Sequence, residues 1–153
     1  MLKCLLGFTG RLFISLIFLA SGLSKILNWQ ESEQLIETSL TNWMAMSQGS
    51  GWVLGIGEWI LPYLPILLIV AVCFEILGGL CVLLGVQVRL GALLLALFLI
   101  PTTLVMHPFW MVQGPEYEVQ AAHFLKNLSV LGGLLILLAY GKCGSYRGEH
   151  SEQ

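Results

Sequence analysis

The sequence predicts an all-α membrane protein: a transmembrane four-helix bundle with a short amphipathic helix in the first outer loop. Three observations predict it. Of 153 residues, 57% are hydrophobic and only 10% are charged, against roughly 25% charged in a soluble domain. Four apolar runs each approach the roughly 20 residues that cross a hydrocarbon core. Each run also carries one stripe of small or polar residues, the pattern by which membrane helices pack on one another. The mean hydropathy of +0.84 fits one membrane domain over residues 1–153. A net charge of −2 gives no electrostatic footprint for nucleic acid.

The first span covers residues 5–27. Its beginning loosely resembles a secretory leader, but Arg11 interrupts the apolar stretch and the run continues to Leu27. It reads as a retained helix. In the outer segment, residues 28–60, Asn28 with Glu31 is a helix start of the capping-box kind. Ile36, Leu40, Trp43 and Met44 follow at helical spacing. This is the expected amphipathic helix, either lying on the outer surface or packed over the bundle mouth. Trp29, Trp43, Trp52 and Trp59 suit headgroup depth. Gln48-Gly-Ser-Gly51 reads as a flexible joint. The second span, 61–84, and the third, 88–106, are joined by Gly85-Val-Gln-Val88, a turn so tight that they must be antiparallel neighbours. The fourth, 124–140, is short, which implies that Lys126 snorkels or the bilayer thins.

Positive charge sets the orientation. With both termini cytoplasmic, that side holds Lys3, Arg11, Arg89, Lys142 and Arg147, and the other keeps Lys25 and Lys126. The expectation is a multi-pass plasma (inner) membrane protein with both termini in the cytoplasm. The four cysteines (Cys4, Cys73, Cys81, Cys143) include no Cys-x-x-Cys pair. Cys73 and Cys81 read as small apolar residues of a helix.

Glu75 is the one charge in its apolar run. An ionisable group at bilayer depth must face a partner or a wet cavity, and by default it marks function. Arg11, Ser15, Phe18, Gly22 and Lys25 share a helix face, as do Ala71, Glu75, Gly78 and Gly79. In the third span Arg89, Ala92, Ala96, Thr103 and His107 line up, and in the fourth Lys126, Ser129 and Gly133. Counted from the inner helix ends, Arg11 and Glu75 lie about 9 and 15 Å deep. They form the expected buried pair, with Arg89 as a second inner cation. Such a pair sets helix register or belongs to a proton or ligand site. A second polar cluster is expected at the outer mouth: Lys25, His107, His123, Lys126 and Asn127, with Glu58 nearby. Lys126 and Asn127 at a helix start oppose the helix dipole, so an acid such as Glu58, or an anionic ligand, should compensate. Pro101 deprives the Leu97 carbonyl of its usual donor, and Thr102 and Thr103 are placed to repair that break. The two histidines lack the carboxylate spacing that would support a metal site.

Arg11 with Phe18-Leu-Ala-Ser-Gly-Leu-Ser-Lys25, then Phe74-Glu-Ile-Leu-Gly-Gly79 with Gly85 and Arg89, together resemble the DoxX family of small polytopic membrane proteins. His107-Pro-Phe-Trp110 and His123-Phe-Leu-Lys-Asn-Leu-Ser-Val-Leu-Gly-Gly133 complete the resemblance, which leaves residues 28–60 and the tail unmatched. It implies four membrane helices and, from relatives associated with thiosulfate–quinone oxidoreduction and oxidative-stress enzymes, a redox setting.

The expected function is an accessory or quinone-interacting membrane subunit in redox or oxidative-stress chemistry, with a soluble or membrane oxidoreductase as partner. The binding residues expected are Arg11, Lys25, Glu75, Arg89, His107, His123, Lys126 and Asn127. No residue stands out as catalytic, and the chain carries no haem, flavin or iron–sulfur signature; quinone is the one cofactor the reading admits. A non-catalytic scaffold and a small-molecule transporter are the alternatives, the latter requiring a homo-oligomer because four helices enclose a narrow lumen.

Overall fold

The computed structural model describes residues 2–47 and 51–141. Among them every regular element is helical: α1 (Leu2–Leu27), α2 (Trp29–Met46), α3 (Gly51–Ile60), α4 (Leu64–Leu84), α5 (Val88–Met106) and α6 (Pro115–Tyr140). Short 3-10 turns, Leu61–Tyr63 and Phe109–Met111, link α3 to α4 and α5 to α6. Four helical stretches are long and apolar enough to cross a membrane: Leu5–Leu27, Leu54–Leu84, Val88–Met111 and Pro115–Tyr140. Most of the expected joint at 48–51 lies outside the described residues, as do Lys142, Cys143, Arg147 and the side chain of Trp52.

Local chemistry explains the boundaries. Pro62 and Pro65 occupy first-turn positions, where a missing N–H costs nothing. Gly85 ends α4 in the left-handed region at φ +74° and donates its N–H to the Val82 carbonyl. Gln87, at φ 49°, completes the reversal into α5. Gly114 (φ +70°) and Pro115 open α6, and Glu116 and Glu118 in its first turn complement the positive helix end. The fourth span is therefore not short. It has 26 residues, nine more at its start than expected, and Lys126 lies well inside it.

One expected start signal is absent. Asn28 makes no side-chain cap on α2. Its amide donates back to the Ser24 carbonyl, while its own carbonyl accepts from the Ser32 hydroxyl. A single residue separates α1 from α2, so that side chain finds its nearest acceptor in the helix it has left.

α4 packs against both α1 and α5, α5 packs against α6, and α1 and α6 meet only lightly. The α4–α5 turn and the last turn of α6 share one end of the bundle, the turn end. α2, α3 and the α5–α6 connection occupy the other, the cap end. Two cores result. At the turn end Phe18, Val82, Val88, Leu95, Leu99 and Leu134 form one cluster. There α4 and α5 touch backbone to backbone: a Cβ at Gly91 would stand 2.8 Å from the Gly78 carbonyl oxygen, and one at Gly78 would stand 3.0 Å from that of Gly91. At the cap end Leu40 and Met44 of α2 pack on Leu64, with Met44 filling the space beside Gly57 of α3. The amphipathic helix thus lies over the bundle mouth, with Glu31 and Glu37 exposed.

Candidate functional site

Between the two cores lies the ion pair. Lys25 donates to both carboxylate oxygens of Glu75, each at 2.9 Å, and to the Ser21 hydroxyl at 2.6 Å. These bonds account for all three ammonium donors. The Phe98 ring lies beneath, its centroid 5.2 Å from Nζ, within cation–π range. Glu75 is 0% exposed and Lys25 is 19% exposed. This is the only salt bridge among the described residues.

The expected Arg11–Glu75 pair is not formed. α1 and α4 run antiparallel, with Gly22 facing Glu75 and Ile76, and Gly79 facing Ser15 and Leu19. Arg11 therefore stands opposite Gly85, about ten residues or 15 Å from the carboxylate. The helix ends are not flush, because α1 begins nine residues before Arg11. Side-chain direction decides the rest. Every Cα–Cβ bond leans toward its own helix N-terminus. Lys25 leans back into the bundle and Glu75 leans toward the cap, so they meet, whereas Arg11 leans away. Lys25 accordingly leaves the polar cluster expected at the mouth.

Above the pair lies a cavity of ≈ 710 Å³, within the range of small-molecule sites. Ser21, Ser24 and Lys25 come from α1, Ser32, Ile36 and Leu40 from α2. Leu68, Ala71 and Phe74 of α4 face Phe98, Pro101 and Thr102 of α5, with His107 at the rim. The walls are mostly aliphatic and aromatic, and the lysine is the one cation on them.

The other predicted residues gather at two more places. At the cap end, His107 Nδ1 bonds Gln120 at 2.8 Å, and its ring stacks on His123 at 5.0 Å between centroids. Lys126 Nζ lies 3.3 Å from His123 Nδ1. Asn127 donates to the Thr103 hydroxyl, which itself donates to the Leu99 carbonyl. Thr103 thus ties α5 to α6 and does not repair the Leu97 carbonyl. At the turn end, Arg89 is exposed and donates to the Ala139 carbonyl at 3.0 Å. It is not a second cation beneath Glu75. Of the expected α6 stripe only Gly133 packs inward, against Ile14 of α1; Lys126 and Ser129 are exposed, and Asn127, Leu131 and Leu134 complete the packed face. Glu58 is exposed and forms no ion pair among the described residues. Lys126 needs no acid at a helix start, because α6 starts eleven residues earlier.

The DoxX family model matches residues 6–108, about two thirds of the chain. The chain belongs to the DoxX family. No curated protein and no solved structure matches it. The DoxX match spans residues 28–60, which the motif resemblance left out, and stops before α6. Lys25, Glu75 and every wall of the cavity therefore fall inside the DoxX segment, while His123, Lys126 and Asn127 fall outside it.

Three residues of the site escape a reading of the sequence. Ser21 left a usable signal, one helical turn before Lys25 on the same face. Gln120 was hidden because 115–123 read as loop, although Pro115 with Glu116 and Glu118 is a recognisable helix start. Phe98 left none, since only the approach of α5 to α1 brings it under the ammonium.

Proposed function

We propose that this DoxX-family chain is a binding subunit of the membrane that holds a small amphipathic molecule of the quinone kind, serving a partner oxidoreductase. One observation carries the reading: Lys25, the partly open member of the lone ion pair of the described bundle, lines a large apolar cavity while the buried Glu75 holds its ammonium. Apolar walls suit a ring and the start of an isoprenoid tail. A quinone carbonyl accepts hydrogen bonds, and Lys25 donates to it by exchanging its bond to the Ser21 hydroxyl while Glu75 keeps the ammonium in place. Ser24, Thr102 and His107 add polar groups toward the rim. The chain's own contribution is to bind and orient the ring and to exclude water from it. In the sequence, Lys3, Arg11, Arg89, Lys142 and Arg147 fall on the side of the termini by span order, against Lys25 and Lys126 on the other, which supports both termini being cytoplasmic.

The test is direct titration. The chain in lipid nanodiscs should bind a short-tailed quinone, followed by tryptophan quenching. Hydrogen bonds to charged groups contribute about 1.5–3 kcal/mol, so Lys25→Met should weaken binding by roughly ten- to a hundredfold. Ala71→Phe should block the cavity while leaving the pair intact. If the parent chain binds no quinone, or both variants bind like the parent, the reading fails.

A further inference from the structure

α1 carries a second cation, Arg11, that the cavity does not use. Its guanidinium lies on the α4–α5 turn, where a Cβ at Gly85 would stand 2.7 Å from Nη1. Its Nε is buried and has no hydrogen-bond partner among the described residues. A buried donor without an acceptor is costly to the fold, so an acceptor is expected there.

No described carboxylate serves. Glu75 is the only acid on α1, α4 and α5, and Lys25 holds both of its oxygens. Glu31, Glu33, Glu37 and Glu58 lie on α2 and α3, and Glu116 and Glu118 open α6, all at the cap end. At the turn end the described charges are cations, Arg11 and the exposed Arg89. Level matters as well. Arg11 stands opposite the turn, where α4 and α5 reverse, while α1 continues for nine more residues and presents Leu2, Leu5, Leu6 and Phe8 to its surroundings. Helix and turn make a step, with Arg11 in its inner corner.

We propose that this corner binds the phosphate of an anionic phospholipid. Arginine's planar fork fits phosphate oxygens two at a time. Basic sites beside membrane helices at the headgroup level take such lipids, and Phe13, Leu16 and Ile17, exposed on α1 on the bilayer side of Arg11, offer their acyl chains an apolar wall. The site is separate from the cavity and independent of what the cavity holds.

The full chain, delipidated in neutral detergent, is offered equal phosphatidylglycerol and phosphatidylcholine, and retained lipid is counted by native mass spectrometry. One cation near a lipid surface should give about a fivefold preference for phosphatidylglycerol. Arg11→Gln should abolish that preference, and Arg89→Gln should keep it. If Arg11→Gln does not fold, Arg11→Lys decides, since it retains charge but loses the fork and should reduce the preference. Neutralising the tail with Glu149→Gln and Glu152→Gln should change nothing. The proposal is overturned by equal retention of both lipids in the parent chain, or by a preference that survives at Arg11. It is equally overturned by displacement with inorganic phosphate, which marks a soluble-anion site, or by a preference seen only after the tail is neutralised.

Discussion

Glu75 and Lys25 illustrate how a charge becomes tolerable in a membrane. Each would be costly alone, and the pair offsets that cost only because the ammonium spends all its donors on Glu75 and Ser21. Lys25→Met should therefore destabilise the fold by about 3–5 kcal/mol, because it strands a buried carboxylate. The double variant Lys25→Met, Glu75→Leu should recover most of that loss. Unfolding of the purified chain in mixed micelles measures both, and quinone binding should stay lost in the double variant even where stability returns. A stable double variant that still binds quinone would remove the lysine from the proposed site. Both members of the pair were legible in the sequence, because a charge inside an apolar run is conspicuous. Their pairing was not. Depth counted from helix ends assumed that the ends were level and ignored the lean of each side chain, and it chose Arg11.

At the scale of elements, the α4–α5 hairpin is held where two glycines let backbones touch. A methyl group at Gly78 or Gly91 meets a carbonyl that has no room to retreat. Gly91→Ala should cost about 1–3 kcal/mol by overpacking. Gly10→Ala, with nothing within 4 Å, should be neutral or stabilising by up to about 1 kcal/mol, since alanine is the better helix former. Between α5 and α6, Asn127→Leu removes the bond to Thr103 and should cost roughly 0.6 kcal/mol, the usual worth of such bonds in membranes. The same unfolding assay ranks the three. Spans one and three, the end of span two and the amphipathic α2 could be read from periodicity, because hydrophobic pattern and turn residues agree there, whereas α3 and the start of the second apolar stretch at Leu54 were not. α6 was begun too late, since the charged stretch before it was taken for loop. Its packed face was misassigned because a stripe of polar residues was read as inward when α6 has only one close neighbour.

The molecule as a whole is packed at both ends, with a half-open cavity between them. Nothing periodic in a sequence reports that cavity. It depends on how far α4 and α5 stand apart beyond the Gly78–Gly91 contact and on where α2 settles, which are properties of the assembled helices. Its lining residues were legible only as apolar positions. Orientation, by contrast, is a property that charge counting addresses directly. With the native cysteines replaced, a cysteine placed at Gln113, in the α5–α6 connection, should react with an impermeant maleimide on intact cells. One placed at Gln87, in the α4–α5 turn, should react only after permeabilisation. The reverse pattern would invert the proposed orientation.

The uneven placement of the two charges bears on how the chain is made. Lys25 stands two residues from the end of α1, so while α1 is alone its ammonium can reach up to the interface. Glu75 sits mid-helix, but α4 carries fourteen Leu, Ile, Val and Phe residues. At about 0.3–0.6 kcal/mol each, these outweigh the roughly 3 kcal/mol that one central acid costs on insertion. Each helix can thus leave the translocation machinery without the other. The ammonium turns inward only once ribosomal synthesis has delivered its counter-ion, so closing the ion pair is a late step of assembly.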